Sequence, residues 1–140
     1  MNISYNYDDI SVLDISNNKL TQVPNVLPKR LTEFDCSNNN IQWIPDDIPD
    51  TITLLSISKN EIEKLPDDLP NDLQILLCSN NRLITLPVVL PNGLQKLQCS
   101  NNKLKVLPIL PISIKYLDCS HNNLTSLPNE SNKISFLILI

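Results

Sequence analysis

Glycine is almost absent from this chain: Gly93 is the single glycine among 140 residues. A glycine-rich loop that cradles phosphate therefore cannot form, which excludes most nucleotide-cofactor folds. Aromatic residues make up only 4% of the sequence, which leaves little for base-stacking platforms or aromatic cages. The formal net charge of -4 also argues against the clustered basic face that nucleic-acid binders carry. We therefore expect no cofactor and no nucleic-acid partner.

Long apolar runs are missing as well, because no stretch approaches the roughly 18 residues that cross a membrane. The first ten residues, MNISYNYDDI, show no basic segment followed by an apolar one, so they do not resemble a secretory signal. We expect an unprocessed, cytoplasmic chain that has no contact with a membrane.

A repeat dominates the sequence that remains. The first apolar residues of successive units are separated by 21, 21, 21, 21, 20 and 20 residues. This spacing gives six whole units and a partial seventh, and it predicts one repeat domain over residues 10–140 after a short N-terminal cap over residues 1–9. Ile3, Tyr5 and Tyr7 alternate within the cap and suggest a small strand there. The units begin at Ile10, Leu31, Ile52, Leu73, Leu94, Ile114 and Ile134.

Each unit predicts one short strand and an extended return path. Apolar residues at positions 4 and 6 of the unit alternate as in a strand that buries one face. Proline pairs such as those in IPDDIP and LPVVLP recur four residues apart, which excludes a helix from the rest of the unit. The predicted fold is a repeat solenoid with a parallel β-sheet on its concave face, an extended or polyproline-like convex side and little or no α-helix.

An asparagine stands at position 9 of every whole unit. An amide side chain donates and accepts hydrogen bonds at once, so a stack of asparagines can satisfy buried backbone groups at the turns. We predict an internal hydrogen-bond ladder made of Asn18, Asn39, Asn60, Asn81, Asn102 and Asn122.

The segments LQCSNNKL and LDCSHNNL fit the general leucine-rich repeat pattern L-x-x-L-x-L-x-x-N-x-L. With its LPxxLP motif and its short period, the chain resembles the bacterial-type subclass of secreted effectors such as YopM and the IpaH ubiquitin ligases. The CSNNxLxxLPxxLP form is also similar to repeats of giant viruses of amoebae. The resemblance implies a protein-binding solenoid. It does not carry over ligase activity, because the IpaH catalytic cysteine lies in a helical domain that this sequence lacks.

Three features suggest chemistry, and each has a plainer interpretation. The four cysteines occupy position 6, which Ile15 and Ile57 fill in other units, so we interpret them as small packing residues. Buried free thiols also favour a reducing compartment. Asp118, Ser120 and His121 resemble a catalytic set, but the strand parity predicts no pocket around them. The aspartates of IPDDIPD and LPDDLPND lie on the return path and are expected to be solvated. We predict no catalytic residue and no metal site.

Specificity must come from positions on the open face of the sheet, because the inward residues build the core. Leu54, Ile75 and Leu77 form a predicted apolar patch on this face, with acidic residues on one side and a lysine and a tyrosine on the other. An apolar patch with a charged rim is typical of a protein-binding site, although scattered apolar residues on a sheet are also common. The predicted binding residues are Glu33, Asp35, Leu54, Ile75, Leu77, Lys96, Gln98, Tyr116 and Asp118.

The last residues, ISFLILI, predict a seventh strand with an open apolar edge. Either the chain is truncated there, or two copies meet through Phe136, Ile138 and Ile140 as a dimer. Two functions follow. The first is a non-catalytic module that binds an unidentified protein through the concave sheet, as an effector of a pathogen or giant virus would in the host cytoplasm. The alternative is a structural protein that associates with itself through this edge.

Overall fold

The computed structural model describes residues 6–126 and 134–139, and these residues form a single parallel sheet with its return loops. Each unit contributes one strand of three residues, and successive strands lie side by side in chain order. The elements are a 3-10 turn at Tyr7–Asp9 and the strands β1 Val12–Asp14, β2 Glu33–Asp35, β3 Leu54–Ser56, β4 Ile75–Leu77, β5 Lys96–Gln98, β6 Tyr116–Asp118 and β7 Phe136–Ile138.

The register of the sheet follows the repeat. Leu13 pairs with Phe34, Phe34 pairs with Leu55, and the same position continues through Leu117 and Leu137. Within the described residues, the return paths contain neither helix nor strand. The predicted solenoid with a parallel sheet and a non-helical convex side is therefore confirmed.

The core is one continuous column of aliphatic side chains from the inward positions. Leu55, Leu76 and Leu97 at position 4 are fully buried, and so are Cys78 and Cys99 at position 6. The corresponding residues of the first unit are only half-buried, since that unit has a neighbour on one side only.

The asparagine ladder is confirmed from the second unit to the sixth, where it joins each unit to the one before it. Asn18, in the first unit, is exposed and donates to the carbonyl of Ser16 at 2.7 Å. Asn60 Nδ2 donates to the carbonyl of Ile57 in its own unit and to that of Cys36 in the preceding unit, both at 3.1 Å. Asn60 Oδ1 accepts from the backbone N–H of Ile41 at 2.9 Å. Because Asn39, Asn81, Asn102 and Asn122 repeat this arrangement, each amide satisfies backbone groups of two adjacent turns.

Position 8 of each unit has a left-handed backbone, which the sequence analysis did not predict. The φ angles there are 59° at Asn17, 55° at Lys59 and 51° at His121. Asparagine tolerates this conformation better than most residues, which explains why it fills position 8 in the other whole units. Histidine is also tolerated there, but lysine has no such preference, so Lys59 stands at a strained position.

The N-terminal cap differs from the predicted strand where it is described. Tyr7 lies in the 3-10 turn, its hydroxyl donates to the carbonyl of Val26 at 3.0 Å, and Asn6 caps the turn by accepting from the N–H of Asp8. The alternation that suggested a strand fails at Tyr7 because this side-chain capping favours a turn. Ile3 and Tyr5 lie outside the described residues.

Candidate protein-binding face

The outward side chains of the strands form two straight rows. In-register parallel pairing places position 3 of each strand beside position 3 of the next, and position 5 beside position 5, about 4.8 Å apart. The position 3 row consists of Val12, Glu33, Leu54, Ile75, Lys96, Tyr116 and Phe136. The position 5 row consists of Asp14, Asp35, Ser56, Leu77, Gln98, Asp118 and Ile138.

The middle of this face is apolar. Leu54 pairs directly with Ile75, and Leu77 follows two residues later on the same side of β4. All three side chains are half-buried, because they stand on the open sheet and shield one another from water. The structure thus places the three residues of the predicted apolar patch next to each other.

The N-terminal part of the face is acidic, but two of its carboxylates also hold turns. The backbone N–H of Ser16 donates to Asp14 Oδ1 at 2.9 Å, and this hydrogen bond lowers the pKa of the Asp14 carboxyl. Asp35 Oδ1 accepts from the N–H of Ser37 at 2.8 Å in the same way. Glu33 is exposed and stands beside Leu54 in the row. These carboxylates therefore form a negative rim next to the apolar patch.

The C-terminal part of the face carries a cation on a stack of aromatic rings. Lys96 Nζ lies 4.8 Å from the centre of the Tyr116 ring, which is a cation–π distance. The rings of Tyr116 and Phe136 are stacked with their centres 4.7 Å apart. Gln98 Nε2 donates to the Tyr116 hydroxyl at 3.4 Å. These contacts hold the four side chains as one platform.

Phe136 belongs to this platform, although the sequence analysis assigned it to a self-association edge. It is 51% exposed and occupies the position 3 row next to Tyr116. The position of Phe136 on the concave face could have been predicted, since the repeat spacing puts it in the same row as Tyr116. Ile138 is half-buried in the position 5 row beside Asp118, and Ile140 lies outside the described residues.

The features that suggested chemistry have structural roles. The four cysteines are free and buried, and burial raises the pKa of Cys36 and Cys78 to about 12 and that of Cys119 to about 11. A thiol that stays protonated is a poor nucleophile and a poor metal ligand. Burial also raises the pKa of Cys99. The cysteines therefore act as packing residues.

Asp118 and Ser120 are bound to each other, and not to the imidazole. The backbone N–H and the hydroxyl of Ser120 both donate to Asp118 Oδ1, at 3.1 and 2.7 Å. His121 is exposed at its left-handed turn position. Over residues 6–126 and 134–139, no group of three His, Cys, Asp or Glu side chains is placed to hold a metal ion. No helix in the same ranges has the length and apolar character needed to span a bilayer.

The Leucine Rich Repeat family model matches residues 9–29, 30–50 and 113–134. YopM from Yersinia enterocolitica is 32% identical with a TM-score of 0.87, and the match covers 94% of this chain and 29% of that one. YopM from Yersinia pestis, a leucine-rich effector protein, is 36% identical with a TM-score of 0.87, over 94% of this chain and 36% of that one. The leucine-rich repeat domain of a Shigella effector is 33% identical with a TM-score of 0.81, over 86% of this chain and 54% of that one.

The chain thus spans between about a third and about half of the length of these bacterial proteins. No curated protein matches the sequence. None of the three structures named above is viral, so the resemblance to giant-virus repeats stays a prediction.

Proposed function

This chain is a leucine-rich repeat protein of the bacterial type, and we propose that it is a non-catalytic module that binds a partner protein through its concave sheet. The arrangement of the apolar patch between two charged ends carries this proposal. Leu54, Ile75 and Leu77 are adjacent on an open sheet face, where a partner can remove them from water. Because the core and the ladder use the inward positions, the outward rows are free to vary with the partner.

The two ends of the face predict what the partner presents. Glu33 and Asp35 attract a basic group at the N-terminal end of the face. Lys96 and the aromatic platform offer a cation and ring surface at the other end, which suits a carboxylate or a planar side chain. The proposed partner therefore places an apolar segment over the centre, with a basic end toward β2 and an acidic or aromatic end toward β6.

The effector role is part of the same proposal. Two of the similar structures are described as effectors, one from Yersinia pestis and one from Shigella. Their similarity supports a chain that acts on host proteins in the host cytoplasm. Since the chain covers only part of each of these proteins, the partners of the whole proteins do not transfer to it.

The replacement of Leu77 by aspartate tests the concave face. Leu77→Asp puts a charge into the centre of the apolar patch and leaves the core untouched, so the fold stays intact while partner capture from host lysate is lost. The matched control is Val26→Asp, which adds the same charge at a 68% exposed aliphatic residue on the return path. Proteins that are captured by the original chain and by Val26→Asp, but not by Leu77→Asp, support the proposal. Equal capture by both variants contradicts it.

The open edge of β7 favours a second candidate, a self-associating structural protein. β7 pairs with β6 on one side, and within the described residues no strand pairs with its other edge. Apolar residues on an unpaired edge favour pairing between copies. Light scattering over a range of concentrations separates the two functions, because a strict monomer at high concentration contradicts this second candidate.

A further inference from the structure

The convex side carries a groove that the repeat pattern alone did not reveal. The groove has a volume of about 490 Å³ and lies between the return loops of the third, fourth and fifth units. Its walls are mainly apolar and include Leu86, Pro87, Val88, Val106, Pro108 and Ile109. A space of this size accommodates two or three side chains of a bound segment.

The aliphatic side chains around this groove are unusually exposed. Val88 is 86% exposed, Ile109 is 88% exposed, and the neighbouring Val89 and Ile112 are 75% and 80% exposed. The second and third units carry Asp46–Asp47 and Asp67–Asp68 where the fourth unit carries Val88–Val89. At this place, between the first proline and the buried leucine of the return path, the fifth unit has a single residue, Ile109. A local group of exposed aliphatic residues is more than the scatter expected on a protein surface.

An acidic cleft of about 640 Å³ adjoins the groove. The groove and the cleft share two return loops, because Asp67 and Val88 line the groove and the next residues, Asp68 and Val89, line the cleft. Asp67 forms a salt bridge with Lys64 at 3.0 Å, which neutralises the charge at the groove itself. The carboxylates of the cleft belong to Asp46, Asp47, Asp50 and Asp68, and in the described part of the chain none of them takes part in a salt bridge.

We propose that this groove and cleft form a second docking surface, which binds a segment of a partner protein that has apolar residues followed or preceded by lysine or arginine. The apolar residues enter the groove and the basic residues lie over the acidic cleft. The carboxylates of the cleft lie one unit (Asp68) and two units (Asp46, Asp47 and Asp50) before the unit of Val88, which corresponds to about 5–10 Å at the strand spacing. An extended chain covers this distance in about two or three residues, so the basic residues follow closely on the apolar ones.

The charge of the surface argues against two other occupants. An anionic membrane surface is repelled by the four carboxylates of the cleft. A second copy of this chain brings a net charge of -4 and the same acidic cleft, so face-to-face contact is unfavourable. Prolines line the groove and offer no backbone N–H, so a bound strand is held by its side chains and not by sheet hydrogen bonds.

A library of random dodecapeptides displayed on phage provides a probe that assumes no particular partner. We expect the full chain to enrich peptides that combine aliphatic or aromatic residues with nearby lysine or arginine. A fluorescent copy of the most enriched peptide is then used to measure affinity by anisotropy. Ile109→Asn and Val88→Asn each weaken binding by about tenfold, because they remove apolar contact area without changing the charge. Val26→Asn, at another exposed aliphatic residue of a return loop, leaves the affinity unchanged.

The same peptide tests whether the carboxylates of the cleft contribute to binding and whether the peptide binds the convex face. The double change Asp46→Asn and Asp68→Asn weakens binding by several-fold, or about tenfold at most, and reduces its dependence on salt. Leu77→Asp, on the concave face, leaves this affinity unchanged, so failure here and failure of the concave site are distinguishable. The proposal is overturned if no peptide is enriched, if enriched peptides lack basic residues, or if Leu77→Asp abolishes binding while Ile109→Asn does not. Self-association that Ile109→Asn removes in light scattering also overturns it, because the groove then holds a second copy.

Discussion

Replacement of Asn60 tests whether the asparagine ladder stabilises the solenoid through hydrogen bonds and not through its size. In Asn60→Ala the N–H of Ile41 loses the acceptor that it has in the structure, Asn60 Oδ1 at 2.9 Å. The carbonyls of Cys36 and Ile57 each lose one donor, but Asn39 and Asn81 still donate to them. The carbonyl of Ser58 loses a longer contact at 3.4 Å and keeps the N–H of Asn38. The damage therefore consists chiefly of one orphaned buried N–H and the two weakened carbonyls of Cys36 and Ile57.

The free-energy cost of these lost hydrogen bonds can be estimated. An unsatisfied buried donor costs about 1–3 kcal/mol, and each lost hydrogen bond whose acceptor keeps another donor costs about 0.5–1.5 kcal/mol. We expect Asn60→Ala to lower the free energy of unfolding by about 2–6 kcal/mol, a large part of the stability of a domain of this size. Urea unfolding followed by circular dichroism measures this loss. The fluorescence of Trp43, two residues from Ile41, reports on the same site.

Asn60→Asp separates the two halves of the amide. The introduced carboxylate still accepts from the N–H of Ile41, but its second oxygen faces two carbonyl oxygens where Nδ2 was a donor at 3.1 Å. Protonation of that oxygen restores a donor, so the folded state raises the pKa of the introduced carboxyl above its ordinary value of about 3.9. The contribution of the protonated form is therefore present below about pH 4 and is lost as the pH rises.

The deficit of Asn60→Asp relative to the original chain thus grows from pH 4 to pH 7. Asn40→Asp is the control, because residue 40 is exposed and the change adds the same charge one unit earlier. We expect Asn40→Asp to show little loss and no such growth. If Asn60→Ala costs less than about 1 kcal/mol, or if Asn60→Asp shows a deficit that is independent of pH, the hydrogen-bond account of the ladder is wrong.

Two further changes test the core and the turns. Cys78→Val removes a buried thiol whose pKa is raised from 9.0 to about 12, so the original chain should lose about 2 kcal/mol relative to the variant between pH 9 and pH 11, as the unfolded thiol ionises. A difference that stays constant over this range, in urea unfolding at each pH, would contradict the burial of a protonated thiol. Lys59→Asn relieves the left-handed turn at φ 55° and should raise the melting temperature, with a gain of up to about 1 kcal/mol. An unchanged or lower melting temperature would show that Lys59 is not strained there.

The interior of the fold was predictable from the sequence because the repeat fixes it many times over. Each inward position recurs with an apolar residue in every unit, so the alignment of the chain with itself identifies the core and the strand register together. A shift of one residue would expose Leu76 and Leu97 and bury Lys96, which no packing can compensate. The ladder asparagine was predictable for the same reason, since an amide at one invariant position of a buried turn has a single physical use.

The backbone of position 8 and the caps made by aspartate were harder to predict. Asparagine at four of the six units signals the left-handed turn, but Lys59 and His121 obscure it. Asp35 and Asp118 were predicted as binding residues from their outward direction alone. Their hydrogen bonds to the N–H groups two residues later depend on side-chain torsions, which a repeat pattern does not specify.

The convex groove was not predicted, because it depends on how neighbouring return loops lie against each other. In the sequence the prolines of LPVVLP exclude a helix, but the two valines between them carry no sign of a groove. Val88 and Ile109 belong to different units, and only the stacked loops bring them to one groove. The acidic pairs of the preceding loops were correctly expected to be exposed, and Asp68 lines the cleft beside that groove.

Both the concave and the convex face change from acidic to apolar from the N-terminal units toward the C-terminal units. On the concave side Asp14, Glu33 and Asp35 precede the apolar patch, and on the convex side the paired aspartates of the second and third units precede the exposed valines of the fourth. Since both gradients run from acidic to apolar toward the C-terminus, segments bound on either face should both point their basic residues toward the N-terminal units. The core contributes nothing to this polarity, because its inward positions are nearly identical from unit to unit. The outward residues alone therefore determine how a bound segment is oriented along the solenoid.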